Sequence, residues 1–159
     1  MRTFSLGAGA DTVVFGASKD ANGVDTITNF TAGAGGDALD FIKNSLLTSA
    51  KFETFSTVST SGAAIKGTAD GVIVLKDVAD LTGITFDSNG TSANKLGLKT
   101  NQKYVIITDK DGDNTAGNIY YVSAGATPTT ATPLLIGTVM RDGDAGDYVV
   151  GNFTGTEAP

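Results

Sequence analysis

The chain has 159 residues, 40% of them apolar, a size and composition suited to one domain, or one domain with a small appendage, closing its core without disulfides. It contains no Cys, His or Trp, which excludes Cys- and His-ligated zinc sites, thiol nucleophiles and Ser-His-Asp triads. A net charge of −6 offers no basic stripe for phosphates, and no run approaches the roughly 20 apolar residues of a membrane-spanning helix, so neither a nucleic-acid partner nor a membrane span is expected.

Fifteen of the 17 acidic residues are Asp, and there are 21 Gly. Asp is a poor helix-interior residue and a good turn residue because its short carboxylate reaches nearby backbone N–H groups. With abundant Thr, this mix predicts many short strands joined by tight turns. The opening Met1-Arg-Thr-Phe-Ser-Leu-Gly lacks an apolar core of the secretory type, so no cleavable signal peptide is read, and the sequence is expected to be a piece of a longer protein.

In residues 1 to 42, Thr12-Val-Val-Phe15 and Thr26-Ile-Thr-Asn-Phe30 are β-branched runs bounded by Gly or Asp, the pattern of short strands. From 43 onward, Ile42, Leu46, Leu47 and Ala50 are close to helical spacing and predict a short helix within Ile42 to Phe52. Ile65 to Leu75 predicts a hairpin about Asp70-Gly71, Lys76 to Leu81 a single helical turn, and Asp87 to Asn94 a loop. Tyr104-Val-Ile-Ile-Thr108 and Asn118-Ile-Tyr-Tyr-Val122 predict an antiparallel hairpin, with Tyr120 and Tyr121 on opposite faces. Thr127 to Pro133 is a connection, Leu134 to Val139 a strand and Tyr148-Val-Val150 another. Asp109-Lys-Asp-Gly-Asp113 has alternating carboxylates, but its Gly and its twelfth residue, Tyr120, depart from an EF-hand, so it is read as a charged hairpin tip. Arg141 to Asp147 is read as a solvated Asp-rich turn.

The segment Leu6-Gly-Ala-Gly-Ala-Asp-Thr-Val-Val14 resembles one RTX nonapeptide, Gly-Gly-x-Gly-x-Asp-x-apolar-x, with Gly7, Gly9, Asp11 and Val13 at the matching positions and Leu6 where the first Gly stands. In such a repeat glycines permit the tight turn, the Asp supplies a carboxylate to an oxygen cage and the apolar residue fills the interior. Gly23-Val-Asp-Thr-Ile-Thr-Asn-Phe30 followed by Gly33-Ala-Gly-Gly-Asp-Ala-Leu-Asp-Phe41 resembles the paired signature that closes the β-roll of serralysin-type and related type I secreted proteins. Asn29 stands where that family usually has Asp.

The resemblance implies an all-β fold: a short parallel β-roll remnant in residues 1–42, then an antiparallel β-sandwich or small barrel in residues 43–159 carrying a C-terminal secretion signal, with one or two short helices. It implies calcium as cofactor, with Asp11, Asp25, Asp37 and Asp40 as ligands and Gly7 and Gly9 offering carbonyls. On the residues alone, the alternative is that these aspartates cap turns and bind no metal. The implied partners are a type I secretion ABC-transporter apparatus and an upstream passenger of the same chain, and the implied location is outside the cell or on its surface. Two other readings stand beside it: a surface-layer or adhesive module making self-assembly contacts, and a carbohydrate-binding sandwich using Tyr104, Tyr120 or Tyr121. Enzymatic activity is not expected. The carboxylates lie in turns, no Gly-x-Ser-x-Gly elbow is present, and Gly33-Ala-Gly-Gly is not followed by the Gly-Lys-Ser/Thr of a phosphate loop.

Overall fold

Two runs, Val72-Ile-Val-Leu75 and Val105-Ile-Ile107, are apolar at every position rather than at every second one. Such runs suit strands covered on both faces, and that is how they are used. The structure, a computed structural model, describes residues 1–109, 117–141 and 147–158. Its centre is an eight-stranded sheet. In spatial order this holds β1 (Thr3–Ser5), β3 (Asp25–Phe30), β12 (Leu134–Arg141), β11 (Gly117–Ser123), β10 (Lys103–Thr108), β7 (Asp70–Leu75), β5 (Ala50–Phe55) and β13 (Thr156–Glu157). A two-stranded sheet of β2 (Thr12–Val14) and β4 (Ala38–Asp40) packs on one face, and a three-stranded sheet of β6 (Ala63–Ala64), β9 (Lys95–Gly97) and β8 (Thr85–Asp87) on the other. Alternate residues of the central strands therefore enter separate cores. Val72, Val74, Val105 and Ile107 pack with Val13, Leu39 and Phe153, whereas Ile73, Leu75, Tyr104 and Ile106 pack with Phe86, Leu96 and Leu98.

The chain winds between layers. β1, β2, β3 and β4 alternate between the central and two-stranded sheets, so that β3 lies parallel to β1 and β4 parallel to β2 in a two-coil roll. β5 to β10 wind likewise against the other face, with β8 and β9 following one another in the three-stranded sheet and β5, β7 and β10 parallel and in register at Phe52, Val72 and Val105. β11 and β12 then join the two windings: β12 pairs antiparallel with β11 and parallel with β3. Strands from residues 1–42 and from 43–159 thus share one sheet and one core cluster.

The fold is all-β with two short helices, α1 (Lys19–Asn22) and α2 (Val58–Ser61), as expected. Antiparallel pairing within 43–159 is found at β10–β11 and β11–β12, whereas β5–β7, β7–β10, β6–β9, β8–β9 and β5–β13 are parallel. The predicted hairpin of Tyr104–Thr108 with Asn118–Val122 is present, with Ile106 opposite Tyr120. Its tip, residues 110–116, and residues 142–146 of the second Asp-rich turn lie outside the described residues.

Four local expectations are corrected. Ile42 to Phe52 is a turn followed by β5, since Asp40 caps the N–H groups of Ile42 and Lys43 but Ser45 adopts φ 64°, which ends any helix after one turn. Asp70-Gly71 opens β7 instead of bending a hairpin. A Cβ at Gly71 would lie 2.9 Å from the Tyr104 ring, so this glycine makes room for a core aromatic. Lys76 to Leu81 forms bends without a helix, and Val150 lies in a 3-10 turn, Val150–Asn152.

Candidate functional site

The two turns of the roll and the C-terminal segment meet at one place. In the first turn, between β1 and β2, the Gly7 N–H donates to Asp11 Oδ2 (3.0 Å), and Gly9 takes φ 107°. In the second, between β3 and β4, Gly36 approaches Thr31 so closely that a Cβ would lie 2.2 Å from its carbonyl oxygen. Asp37 joins the turns. Its Oδ1 accepts from Asp11 N and its Oδ2 from Thr31 N, both at 2.8 Å, and the residue is fully buried. Ala38 N to Asp11 O (2.8 Å) and Asp37 N to Thr31 O (2.8 Å) complete the lacing.

Asn152, also without exposed surface, brings in the C-terminal segment. Its Oδ1 accepts from Gly33 N and Val149 N (2.9 Å each), and its Nδ2 donates to Gly33 O (3.1 Å) and Asp37 O (2.7 Å). Beyond it Phe153 bridges to Leu39 of β4, Thr154 N donates to Leu39 O, and Thr156 and Glu157 pair with Ala50 and Lys51 of β5. Phe153 stacks on Phe52 with ring centroids 5.0 Å apart and on Tyr148 at 5.7 Å. The tail thus closes the outer sides of both β4 and β5.

The opposite side of the roll is different. β1 and β2 are each the terminal strand of their sheet, and no described residue pairs with their outer sides. In the parallel ladders Arg2, Phe4 and Leu6 face β3, and Asp11, Val13 and Phe15 face β4. The alternation therefore turns the N–H and C=O groups of Thr3, Ser5, Thr12 and Val14 outward. Between the two edges is a cleft of about 380 Å³ lined by residues that include Phe4, Leu6, Asp11 and Val13.

Of the expected ligands, Asp11 and Asp37 come together, with Gly7 and Gly9 exposed on the adjoining turn. Asp25 and Asp40 are engaged elsewhere. Asp25 is bound by the Arg2 guanidinium (2.6 Å) and the Arg2 N–H (2.8 Å). Burial opposes its charge, but these hydrogen bonds and the opposite charge hold its carboxyl below the usual range. Asp40 Oδ1 caps Ile42 N and Lys43 N. Calcium takes about six to eight oxygen ligands, yet among the described residues no three carboxylates converge. Those of Asp25, Asp37 and Asp40 already receive N–H donors. As arranged, the four aspartates do not suit a calcium ion. Of the tyrosines considered for a sugar platform, Tyr104 is fully buried, its hydroxyl accepting from Lys99 N at 2.9 Å.

Three buried polar residues that tie separate segments together, Asn152, Asp70 and Glu53, carry little local mark in the sequence. Asn152 lies in a terminal segment of small residues, and three of its four bonds cross 115 to 119 positions. Asp70 looked like a turn residue, and Glu53 stood alone. The one signal was an Asp-Gly pair, Asp70-Gly71, directly ahead of a fully apolar run. Comparison with protein-family models, curated proteins and solved structures finds no match to this chain.

Proposed function

We propose that this chain is a non-enzymatic C-terminal module of a larger exported protein of the RTX kind, one that caps a parallel β-roll and directs the protein through a type I ABC-transporter channel to the outside of the cell. The observation that carries the reading is the asymmetry of the roll. Its far side is sealed by the module's own tail, while its near side leaves two parallel edges and the cleft between them open. A solenoid needs atypical end pieces that finish one side and continue on the other. β1 and β2 offer such a continuation to a preceding coil. The motif residues Gly7, Gly9 and Asp11 lie on that same open turn. Calcium belongs to this reading as the ion of the coils being capped, rather than as a ligand of the module's own Asp25, Asp37 and Asp40.

The test is export. A passenger joined upstream of residue 1 is expected in the medium of cells that carry a type I ABC export channel, and inside cells that lack it. A passenger retained in both strains would overturn the proposal.

The open edges also favour a second reading, a surface-layer or adhesive module that pairs laterally with copies of itself. Sedimentation separates the two readings. Concentration-dependent assembly that persists after a complete coil is added upstream supports lateral pairing, whereas assembly abolished by that coil supports capping.

A further inference from the structure

Two of the buried aspartates, Asp37 and Asp70, share a bonding pattern that needs no metal. Asp37 places one oxygen on a backbone N–H of the first turn and the other on a N–H of the second. Asp70, at the start of β7, does the same for the second winding: Oδ2 accepts from Thr48 N (3.0 Å), just ahead of β5, and Oδ1 from Lys103 N (2.9 Å), the first residue of β10. The three strands it ties are neighbours in the central sheet. Glu53 accepts from Lys66 N and Gly67 N (3.0 and 3.1 Å), drawing the chain after β6 onto β5. These three carboxylates are at most 7% exposed.

A cation site gathers lone pairs: carbonyls and carboxylates point inward at a positive charge. Around Asp37 and Asp70 the polarity is reversed. Backbone N–H dipoles converge, positive end inward, on an anion, and such a field repels a second positive charge. We infer that the roll and the second winding keep their shape with no metal bound at Asp37 or Asp70, these two acting as anionic staples that hold adjacent coils in register. This inference stands apart from the export reading; it concerns the folded chain alone, and a failed export assay leaves it untouched.

The experiment is a thermal melt of the whole chain, stripped with a chelator and then titrated with calcium, magnesium serving as control. The midpoint is expected to stay unchanged across the titration. Asp37→Asn and Asp70→Asn each turn an amide N–H toward a backbone N–H, and are expected to lower the midpoint by roughly 5–10 °C, equally with and without calcium. Should either variant fail to fold, the unsubstituted chain still decides the matter. A calcium-dependent rise in its midpoint, absent with magnesium, would overturn the inference, as would a loss in Asp37→Asn that appears only when calcium is present.

Discussion

Asn152 uses both lone-pair directions of its carbonyl and both protons of its amide, all inside the protein. Truncation to Ala strands the N–H groups of Gly33 and Val149. Asn152→Ala is therefore expected to cost about 2–4 kcal/mol of stability by denaturant unfolding. Tyr104 sets an upper pH limit. Burial, reinforced by the negative charges of Asp70 and Glu53 and partly offset by the Lys99 N–H, pushes its hydroxyl from 10.0 up to about 12. The folded chain then holds a proton that the unfolded chain gives up, so this contribution is whole below pH 10 and is lost as pH rises through about 12, a fall of about 3 kcal/mol. Tyr104→Phe is expected to flatten that limb of the pH–stability curve. Asp25 acts at the other extreme. Its lowered value means stability present above the ordinary carboxylate range and lost on acidification below it. At this scale the sequence was informative about residue type and silent about partners. Asp11 and Asp37 were singled out together and do meet, though through a backbone N–H. Nothing local marked Asn152, because its partners are most of the chain away.

Among the elements, alternation was legible and direction was not. Runs such as Thr26 to Phe30 and Tyr104 to Thr108 announced strands because β-branched and aromatic residues suit a pleated, half-covered surface. A side chain's face is fixed by its own position, but whether the neighbouring strand runs parallel depends on the path of the connection. The windings of β5 to β10 thus escaped notice. Ile42 to Ala50 misled for a related reason. Its spacing is that of a helix face, but Leu46 and Leu47 reach the core from a turn capped by Asp40. The tail is the element whose contribution can be measured most directly. Phe153 is 2% exposed between Phe52 and Tyr148, and Phe153→Ala is expected to cost about 3–5 kcal/mol. Hydrogen exchange should localise the effect: the amides of β4 and β5 lose protection first, those of β10 and β11 last.

For the whole molecule, the continuous apolar runs of β7 and β10 were the best sign of architecture, since only a sheet covered on both faces has use for them. They were read as ordinary strands, and the three-layer arrangement was missed. The open side of the roll makes a further prediction. Val14 is 37% exposed on an outer edge. Val14→Lys, combined with Thr3→Pro where the backbone N–H points outward, is expected to leave the chain's own melting nearly unchanged. In a chain extended upstream of residue 1 by complete nonapeptide coils, calcium is expected to raise the thermal midpoint, and the paired substitution to uncouple the added coils from the module, giving two transitions instead of one. The sealed side has a consequence in time. Residues 148 to 157 leave the ribosome after every strand they close, so the roll stays unfinished until synthesis of this stretch ends. A chain in that state still has the outer sides of β4 and β5 open.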